Sequence, residues 1–163
     1  MDYILSLGTN IGDRKNNIER AIEAINSIPY TDVKRLSSIY ETEPVGYAKQ
    51  DDFYNCVAYV SSRLEPNEML GVCLGIEAGF GRERGIKNGP RILDIDLIFA
   101  EDLTINSPNL ICPHPRYSER RFVLEPLLEL LPSGEFYGIK FADYINDIEG
   151  QAVQIADVSI KIK

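Results

Sequence analysis

Two aspartates within an apolar segment are the residues of this chain with the clearest capacity for chemistry. The segment from Arg91 to Phe99 is rich in branched and aromatic residues, which predicts a buried β-strand, and Asp94 and Asp96 interrupt it. Because alternate residues of a strand point to one face, the two carboxylates should lie side by side, with Cα atoms roughly 6.5–7 Å apart. Such a pair is costly without a cation, and Mg²⁺ prefers carboxylate oxygens. The alternative is an edge strand whose charged face is solvated.

The segment directly before this strand is basic and rich in glycine. Residues 81–91 contain four of the chain's 17 lysines and arginines but one of its 25 aspartates and glutamates, in a chain whose net charge is −8. Arginine binds phosphate through two parallel hydrogen bonds, and a basic island in an acidic protein indicates an anion site. Next to paired carboxylates, this loop indicates phosphoryl-type transfer. The alternative is a solvated surface loop with scattered charges.

Length and composition restrict the class of protein. A chain of 163 residues predicts a single domain over residues 1–163, and the acidic balance argues against a nucleic acid partner. No apolar run approaches the roughly 20 residues of a membrane span, and no signal peptide is visible. We therefore expect a cytoplasmic monomer without a membrane partner. Three widely spaced cysteines (Cys56, Cys73 and Cys112) are expected to be reduced core thiols.

The apolar pattern predicts the elements that position these groups. One helix should follow Asp13 and another should begin at Pro66, each with a buried apolar stripe. Strands are expected at residues 3–7, 33–40 and 55–62, with a polar loop at 41–52. With the aspartate strand added, this order predicts an α+β fold. We expect a ferredoxin-like antiparallel sheet with helices packed on it, in a single three-layer-like α/β sandwich domain.

The last third of the sequence predicts shorter elements. Residues 103–105 are expected to pair back on the aspartate strand as a hairpin. Residues 118–123 and 125–131 should be helical, and a short helix is expected near 141–145. Alternating apolar residues over 153–162 predict a final strand.

Several motifs of this chain stand in the order seen in one enzyme family. They are Gly8-Thr9-Asn10, Tyr40-Glu41-Thr42-Glu43-Pro44-Val45-Gly46, Phe53-Tyr54-Asn55, Gly89-Pro90-Arg91-Ile92-Leu93-Asp94-Ile95-Asp96 and Pro113-His114-Pro115-Arg116. From residue 3 to about residue 131 the sequence resembles 6-hydroxymethyl-7,8-dihydropterin pyrophosphokinase. The resemblance implies an ATP-dependent diphosphokinase of folate biosynthesis. Such an enzyme transfers the diphosphate of ATP to the 6-hydroxymethyl group of 6-hydroxymethyl-7,8-dihydropterin and releases AMP.

The resemblance also implies which residues act on ATP. It assigns two Mg²⁺ ions to Asp94 and Asp96, which together with Arg82 and Arg91 form the expected catalytic set. The expected ATP contacts are Glu77, Arg82, Arg84, Arg91, His114 and Arg120. For Glu77, a solvated charge on an amphipathic helix is the alternative.

The pterin is expected to bind through a second set of residues. They are Asn10, Thr42, Val45, Phe53, Asn55 and Phe122. A flat ring with polar edges needs a stacking pair and an amide, which the resemblance assigns to Phe53, Phe122 and Asn55. The alternatives are core positions for the two phenylalanines and a turn position for Asn55.

Two departures from the family pattern concern the basic loop. Many members have a tryptophan before the Gly-Pro-Arg sequence, where this chain has Asn88, and the loop is a residue shorter than in some relatives. We expect the loops at 41–52 and 81–91 to close over bound substrates. Two other functions stay open: another Mg²⁺-dependent phosphoryl or nucleotidyl transferase, and a non-catalytic ferredoxin-like binding module.

Overall fold

A computed structural model describes residues 1–44, 49–81, 89–160 and 162 of the chain. Its strands are β1 (Asp2–Thr9), β2 (Thr31–Leu36), β3 (Tyr40–Thr42), β4 (Phe53–Ser62), β5 (Asp94–Ala100), β6 (Ile105–Asn106), β7 (Ile111–Cys112), β8 (Glu135–Phe136), β9 (Ile139–Lys140) and β10 (Val153–Ile155). Its helices are α1 (Arg14–Asn26), α2 (Pro66–Gly79) and α3 (Arg121–Leu130), with 3₁₀-helices at Tyr117–Glu119 and Ala142–Asp147.

The main sheet is antiparallel and has the strand order β10-β3-β4-β1-β5, with β2 pairing with the second half of β4. Strands β2 and β3 therefore share β4 as their partner, and the single strand predicted over 33–40 is wrong. The chain leaves the ladder at residues 37–39. There the Ser37 hydroxyl, in place of a backbone carbonyl, accepts a hydrogen bond from the Val57 N–H at 2.9 Å. The polar loop also begins later than predicted, since β3 extends to Thr42.

Helices cover both faces of this sheet. Along β1, Tyr3, Leu5 and Leu7 contribute to a core shared with α1 and α2, whereas Ile4 contributes to a second core shared with α3. The alternation follows from the period of two of a strand, and all four side chains are fully buried. The prediction of an α+β fold, with an antiparallel sheet and helices packed on it, is confirmed.

Both long helices begin at the predicted signals. Asp13 is the N-cap of α1, and its carboxylate accepts a hydrogen bond from the Asn16 N–H at 3.0 Å. Helix α2 begins with Pro66, which has no N–H to leave unpaired. Its capping box is closed by the Glu68 carboxylate, which accepts from the Glu65 N–H at 2.9 Å.

The chain after β5 differs from the prediction in three places. Strand β6 pairs with β7 and not with β5, since a turn closed by the Leu103 N–H and the Ala100 carbonyl, 3.0 Å apart, redirects the chain. Residues 121–130 form one helix that contains Pro126, in place of two shorter segments. Within the described part of the predicted final strand only β10 forms, and it pairs with β3.

The three cysteines are buried and free, as predicted. Burial raises the pKa of Cys56 and of Cys73 to about 12, which makes these thiols poor nucleophiles at neutral pH. Within the described ranges, no helix is long and apolar enough to cross a membrane.

The capping role of Asp13 at the start of α1 can be tested by mutation. Asp13→Ala should lower the free energy of unfolding by about 1 kcal/mol, because an N–H of the first turn loses its acceptor. Urea unfolding followed by circular dichroism measures the change. The control is Asp102→Ala, at an exposed turn position, which should change the free energy by less than about 0.5 kcal/mol. Equal effects of the two variants would contradict the capping role.

Candidate active site

Asp94 and Asp96 lie at the beginning of β5, which is an edge strand of the main sheet. In the register between β5 and β1, Asp94 is opposite Gly8 and Asp96 is opposite Ser6. Both aspartates are half-buried, whereas Ile95 between them is buried in the core shared with α1 and α2. The strand starts later than predicted, so the two carboxylates occupy its open end.

Basic groups lie against Asp96. The Arg120 Nη1 atom is 3.2 Å from Asp96 Oδ2, and His114 Nε2 is 3.9 Å from the same oxygen. His114 Nδ1 accepts a hydrogen bond from the Arg116 N–H at 3.1 Å, so the proton of a neutral ring belongs on Nε2, facing Asp96. Burial lowers the pKa of His114 to about 4; Arg120 acts in the same direction, and Asp94 opposes it. At neutral pH the site therefore combines a guanidinium with a neutral imidazole.

A third carboxylate lies behind the aspartate pair. Glu77 on α2 is 2% exposed, and its Oε2 accepts a hydrogen bond from the Ile95 N–H at 2.8 Å. Because β5 is an edge strand, an N–H on its outer side has no strand partner, and the carboxylate satisfies it. The alternative of a solvated charge is therefore wrong for Glu77. Through this hydrogen bond, Glu77 holds the backbone segment that carries both aspartates.

An open cleft meets the aspartates on the side of β3, β4 and α3, and it is named the aromatic cleft. It brings together eight of the predicted residues: Thr42, Phe53, Asn55, Arg91, Asp94, Asp96, Arg120 and Phe122. Five further residues line it that the sequence did not single out for the site: Ser6, Gly8, Glu43, Gly89 and Arg116. For Arg116, the Pro-His-Pro-Arg motif was the available signal.

The amide of Asn55 has a fixed orientation in the aromatic cleft. Its Nδ2 donates to Thr42 Oγ1 at 2.6 Å, and the residue is 4% exposed. The two residues lie in paired strands, so Asn55 is a strand residue and not a turn residue. A Cβ atom on Gly8 would lie 2.6 Å from Asn55 Oδ1, so the absence of a side chain at Gly8 makes room for this amide.

The two predicted stacking residues reach the aromatic cleft from different layers of the fold. Phe53 begins β4, and Phe122 lies in the first turn of α3. Both rings are half-buried and line the cleft, so neither is an ordinary core residue. The Arg120 guanidinium carbon is 5.5 Å from the centroid of the Phe122 ring. The cleft is therefore bounded by flat apolar surfaces beside cationic and amide groups.

A second cleft lies on the α2 side of the aspartates and is named the leucine cleft. Its apolar residues include Leu70, Leu74, Leu97 and Leu110, and its polar residues include Glu77, Asn109 and His114. Leu74 is 54% exposed, which marks it as part of an open surface and not of the core. Asp94 and Asp96 line this cleft as well as the aromatic cleft. The aspartate pair thus stands where the two clefts adjoin.

Asn10 does not line either of these clefts, although it was predicted to contact the pterin. Its Oδ1 accepts from the Arg91 N–H at 2.8 Å, and its Nδ2 donates to Gln50 Oε1 and to the Asp51 carbonyl, both at 2.9 Å. These bonds tie the end of β1 to residues of both predicted loops. The geometry assigns Asn10 to holding the loops and not to a wall of the aromatic cleft. Residues 45–48 and 82–88 of the predicted loops, which include Val45, Arg82, Arg84 and Asn88, lie outside the described part of the chain.

The donor atoms at the junction suit Mg²⁺. Asp94 and Asp96 offer carboxylate oxygens, and among the described residues no group of three or more His, Cys, Asp or Glu side chains could hold a metal ion. Two carboxylates leave most positions of an octahedral ion to water and phosphate, which is the usual environment of Mg²⁺. Structural zinc sites instead use four nitrogen or sulfur ligands.

The low pKa of His114, the single histidine of the sequence, makes stability depend on pH. The ordinary histidine pKa is 6.5 and that of His114 is about 4, so between these values the unfolded chain binds more protons. The free energy of unfolding should therefore fall as the pH is lowered from 6.5 to 4. His114→Gln should show a smaller fall between pH 7 and pH 5 in urea unfolding. An identical pH dependence of the two proteins would contradict the shift.

Several known proteins are similar to this chain, and they point to one family. The family described as 7,8-dihydro-6-hydroxymethylpterin-pyrophosphokinase (HPPK) matches residues 4–132. The bifunctional protein FolKE of Lactococcus lactis subsp. lactis is 43% identical over 127 residues, which cover 78% of this chain and 36% of that protein. The 2-amino-4-hydroxy-6-hydroxymethyldihydropteridine pyrophosphokinase of Bacillus subtilis is 40% identical over 126 residues, 77% of this chain and 75% of that protein.

The fold is shared with a solved structure of an HPPK-DHPS protein in complex with substrates, at a TM-score of 0.66 and 15% identity. That match covers 90% of this chain and 43% of the solved chain. The chain spans little more than a third of the length of the bifunctional Lactococcus relatives. From the match over residues 4–132 and the Bacillus relative, we conclude that this chain belongs to the 7,8-dihydro-6-hydroxymethylpterin-pyrophosphokinase family.

Proposed function

We propose that this protein transfers the diphosphate of ATP to the 6-hydroxymethyl oxygen of 6-hydroxymethyl-7,8-dihydropterin and releases AMP, as a step of folate biosynthesis. The observation that carries the proposal is the position of Asp94 and Asp96, which line the aromatic cleft and the leucine cleft at once. Transfer between two substrates requires their reacting atoms to meet at one place. A carboxylate pair at that place suits the cation that accompanies ATP.

In this proposal the aromatic cleft takes the pterin. The ring lies against Phe53 and Phe122, which supply the apolar surfaces that a flat heterocycle needs. The Asn55 amide nitrogen donates one N–H to Thr42, and this bond orients the Oδ1 atom to accept from an N–H on the ring edge. Val45 is proposed as a further wall contact, on the family resemblance alone.

The leucine cleft takes the nucleotide. Leu70 and Leu74 offer an apolar surface for the adenine, and the Nε2–H of His114 can donate to a phosphate oxygen. Arg91 and Arg120, which line the adjoining aromatic cleft, can pair with phosphate oxygens at the junction. Arg82 and Arg84 are proposed for the same charge on the family resemblance. Glu77 acts by holding the β5 backbone.

The chemistry follows from this arrangement. A bond forms between the hydroxymethyl oxygen and the β-phosphorus of ATP, the bond from that phosphorus to the oxygen kept by AMP breaks, and the hydroxyl proton passes to solvent. Two Mg²⁺ ions held by Asp94 and Asp96 would supply positive charge to the phosphate oxygens and the attacking oxygen. Arg91 and Arg120 offset the negative charge that moves onto the departing AMP.

Product identity tests the proposal. Incubation of the purified protein with ATP, Mg²⁺ and the hydroxymethyl pterin should yield AMP and the pterin diphosphate in equal amounts. ADP or free diphosphate as the product would favour another transferase, and unchanged ATP would favour a binding module. We further propose that residues 1–163 act as one domain, as a cytoplasmic monomer whose partners are ATP and the pterin, without nucleic acid or a membrane.

The aspartates should be essential for turnover but not for folding. Asp94→Asn and Asp96→Asn should each lower kcat about a hundredfold or more, because each removes a charge at the junction of the clefts. Steady-state AMP formation measures this, and circular dichroism checks that the fold is kept. Asp102→Asn is the matched control, since Asp102 lies just beyond the far end of β5. Wild-type turnover in either junction variant would overturn the assignment.

The size of residue 8 should control pterin affinity. Gly8→Ala places a Cβ atom 2.6 Å from Asn55 Oδ1, so the amide must move out of its hydrogen bond with Thr42. We expect the KM for the pterin to rise about tenfold, the equivalent of one lost hydrogen bond. The control is Gly75→Ala on α2, where an added Cβ meets no atom within 4 Å. A Gly8 variant with an unchanged KM would contradict the proposed role of the Asn55 amide.

A further inference from the structure

The chain beyond residue 132, where the family match ends, contains a contact that bears on the aromatic cleft. Two consecutive residues of this tail, Gln151 and Ala152, are hydrogen-bonded to opposite sides of the cleft. Gln151 binds the beginning of α3, and Ala152 binds Glu43 directly after β3. We propose that the tail is a strap that sets the separation of these two walls, and that Gln151 is a positioning residue for the pterin. The proposal rests on the function proposed above.

On the α3 side, the Gln151 side chain binds the backbone on both sides of Arg120. Gln151 Oε1 accepts from the Arg121 N–H at 2.9 Å, and Gln151 Nε2 donates to the Glu119 carbonyl at 3.0 Å. Arg120 is the N-cap of α3 and its own side chain provides no cap. An N–H of the first helical turn needs an acceptor, and Gln151 supplies it from 30 residues further along the chain.

Arg120 and Phe122 are next to the two residues that Gln151 binds. The Arg120 guanidinium pairs with Asp96 at 3.2 Å, and the Phe122 ring is the α3 contribution to the cleft. A change in the backbone of residues 119–121 therefore moves the ring and the cation together. The Arg121 side chain adds a second anchor, because its Nη2 atom donates to the Ile148 carbonyl at 2.7 Å.

On the β3 side, the strap continues the main sheet. The Ala152 N–H donates to Glu43 Oε1 at 2.7 Å, and the Ala152 carbonyl accepts from the Glu43 N–H at 3.2 Å. Strand β10 then pairs with β3, and Val153 lies opposite Thr42, the partner of Asn55. The same short segment thus holds the amide side of the cleft and its α3 side. Direct packing between α3 and β4 lies deeper, around Val57 and Leu124 in the core.

Gln151→Ala tests the strap. Loss of the two side-chain hydrogen bonds should raise the KM for the pterin about tenfold, with a change in kcat of less than about threefold. Gln151→Glu should recover part of this loss, since a carboxylate still accepts from the Arg121 N–H but cannot donate to the Glu119 carbonyl. The matched control is Gln154→Ala, an exposed glutamine of β10, which should keep the wild-type KM.

Amide hydrogen exchange tests the strap without measuring enzyme activity. Gln151→Ala should accelerate exchange at residues 119–123 and at residues 42–43, whereas acceleration confined to the tail would overturn the strap. A lower melting temperature with an unchanged pterin KM would likewise reduce Gln151 to a structural residue and overturn the proposal. If the wild-type protein makes no AMP, the proposed function fails. A wild-type KM in Gln151→Ala with an active wild-type protein refutes the strap alone.

Discussion

The repulsion between two carboxylates at the open end of an edge strand is the constraint on which the rest of the site depends. Asp94 and Asp96 share one face, and the carboxylate of Glu77 lies behind the backbone that joins them. This concentration of negative charge is stable only beside cations or in contact with water. Three features meet this requirement: both aspartates are half-buried, Asp96 pairs with Arg120, and Arg91 and Arg116 also line the cleft. In the proposed function, the same arrangement is where a metal-bound phosphate is held.

Strand β1 lies between the two groups of residues that form the candidate site. It lies between β4 and β5, so its last residues separate the Asn55 amide from the aspartates. Ser6 and Gly8 are small, and the space that their side chains do not fill becomes the floor of the aromatic cleft. Beyond Gly8, Asn10 uses its whole amide to tie the strand end to Arg91 and to the segment at 50–51. The main sheet thus places the proposed ring site next to the proposed phosphate site.

The tail adds a constraint that the family match does not include. Its strand extends the main sheet by one member, and the residues before that strand reach the beginning of α3. Local strand pairing and a helix cap are common devices of stability. Here both act on the walls of one cleft, because Gln151 contacts the beginning of α3 and Ala152 contacts Glu43 directly after β3. Under the proposed strap, stability and substrate affinity depend on the same few hydrogen bonds.

The sequence by itself determined the features that depend on neighbours along the chain. The period of two placed Asp94 and Asp96 on one face, the signals at Asp13 and Pro66 located both long helices, and the short motifs identified the family. Only the tertiary structure decided what depends on distant partners. The division of the predicted strand at 37–39 requires β4, and the burial of Glu77 requires an unpaired edge N–H. The contacts of Gln151 require helix α3, which begins 30 residues earlier and has no side-chain cap of its own. Periodicity and capping are local properties that a sequence displays directly, whereas hydrogen-bond partners across the fold exist only once the layers have packed.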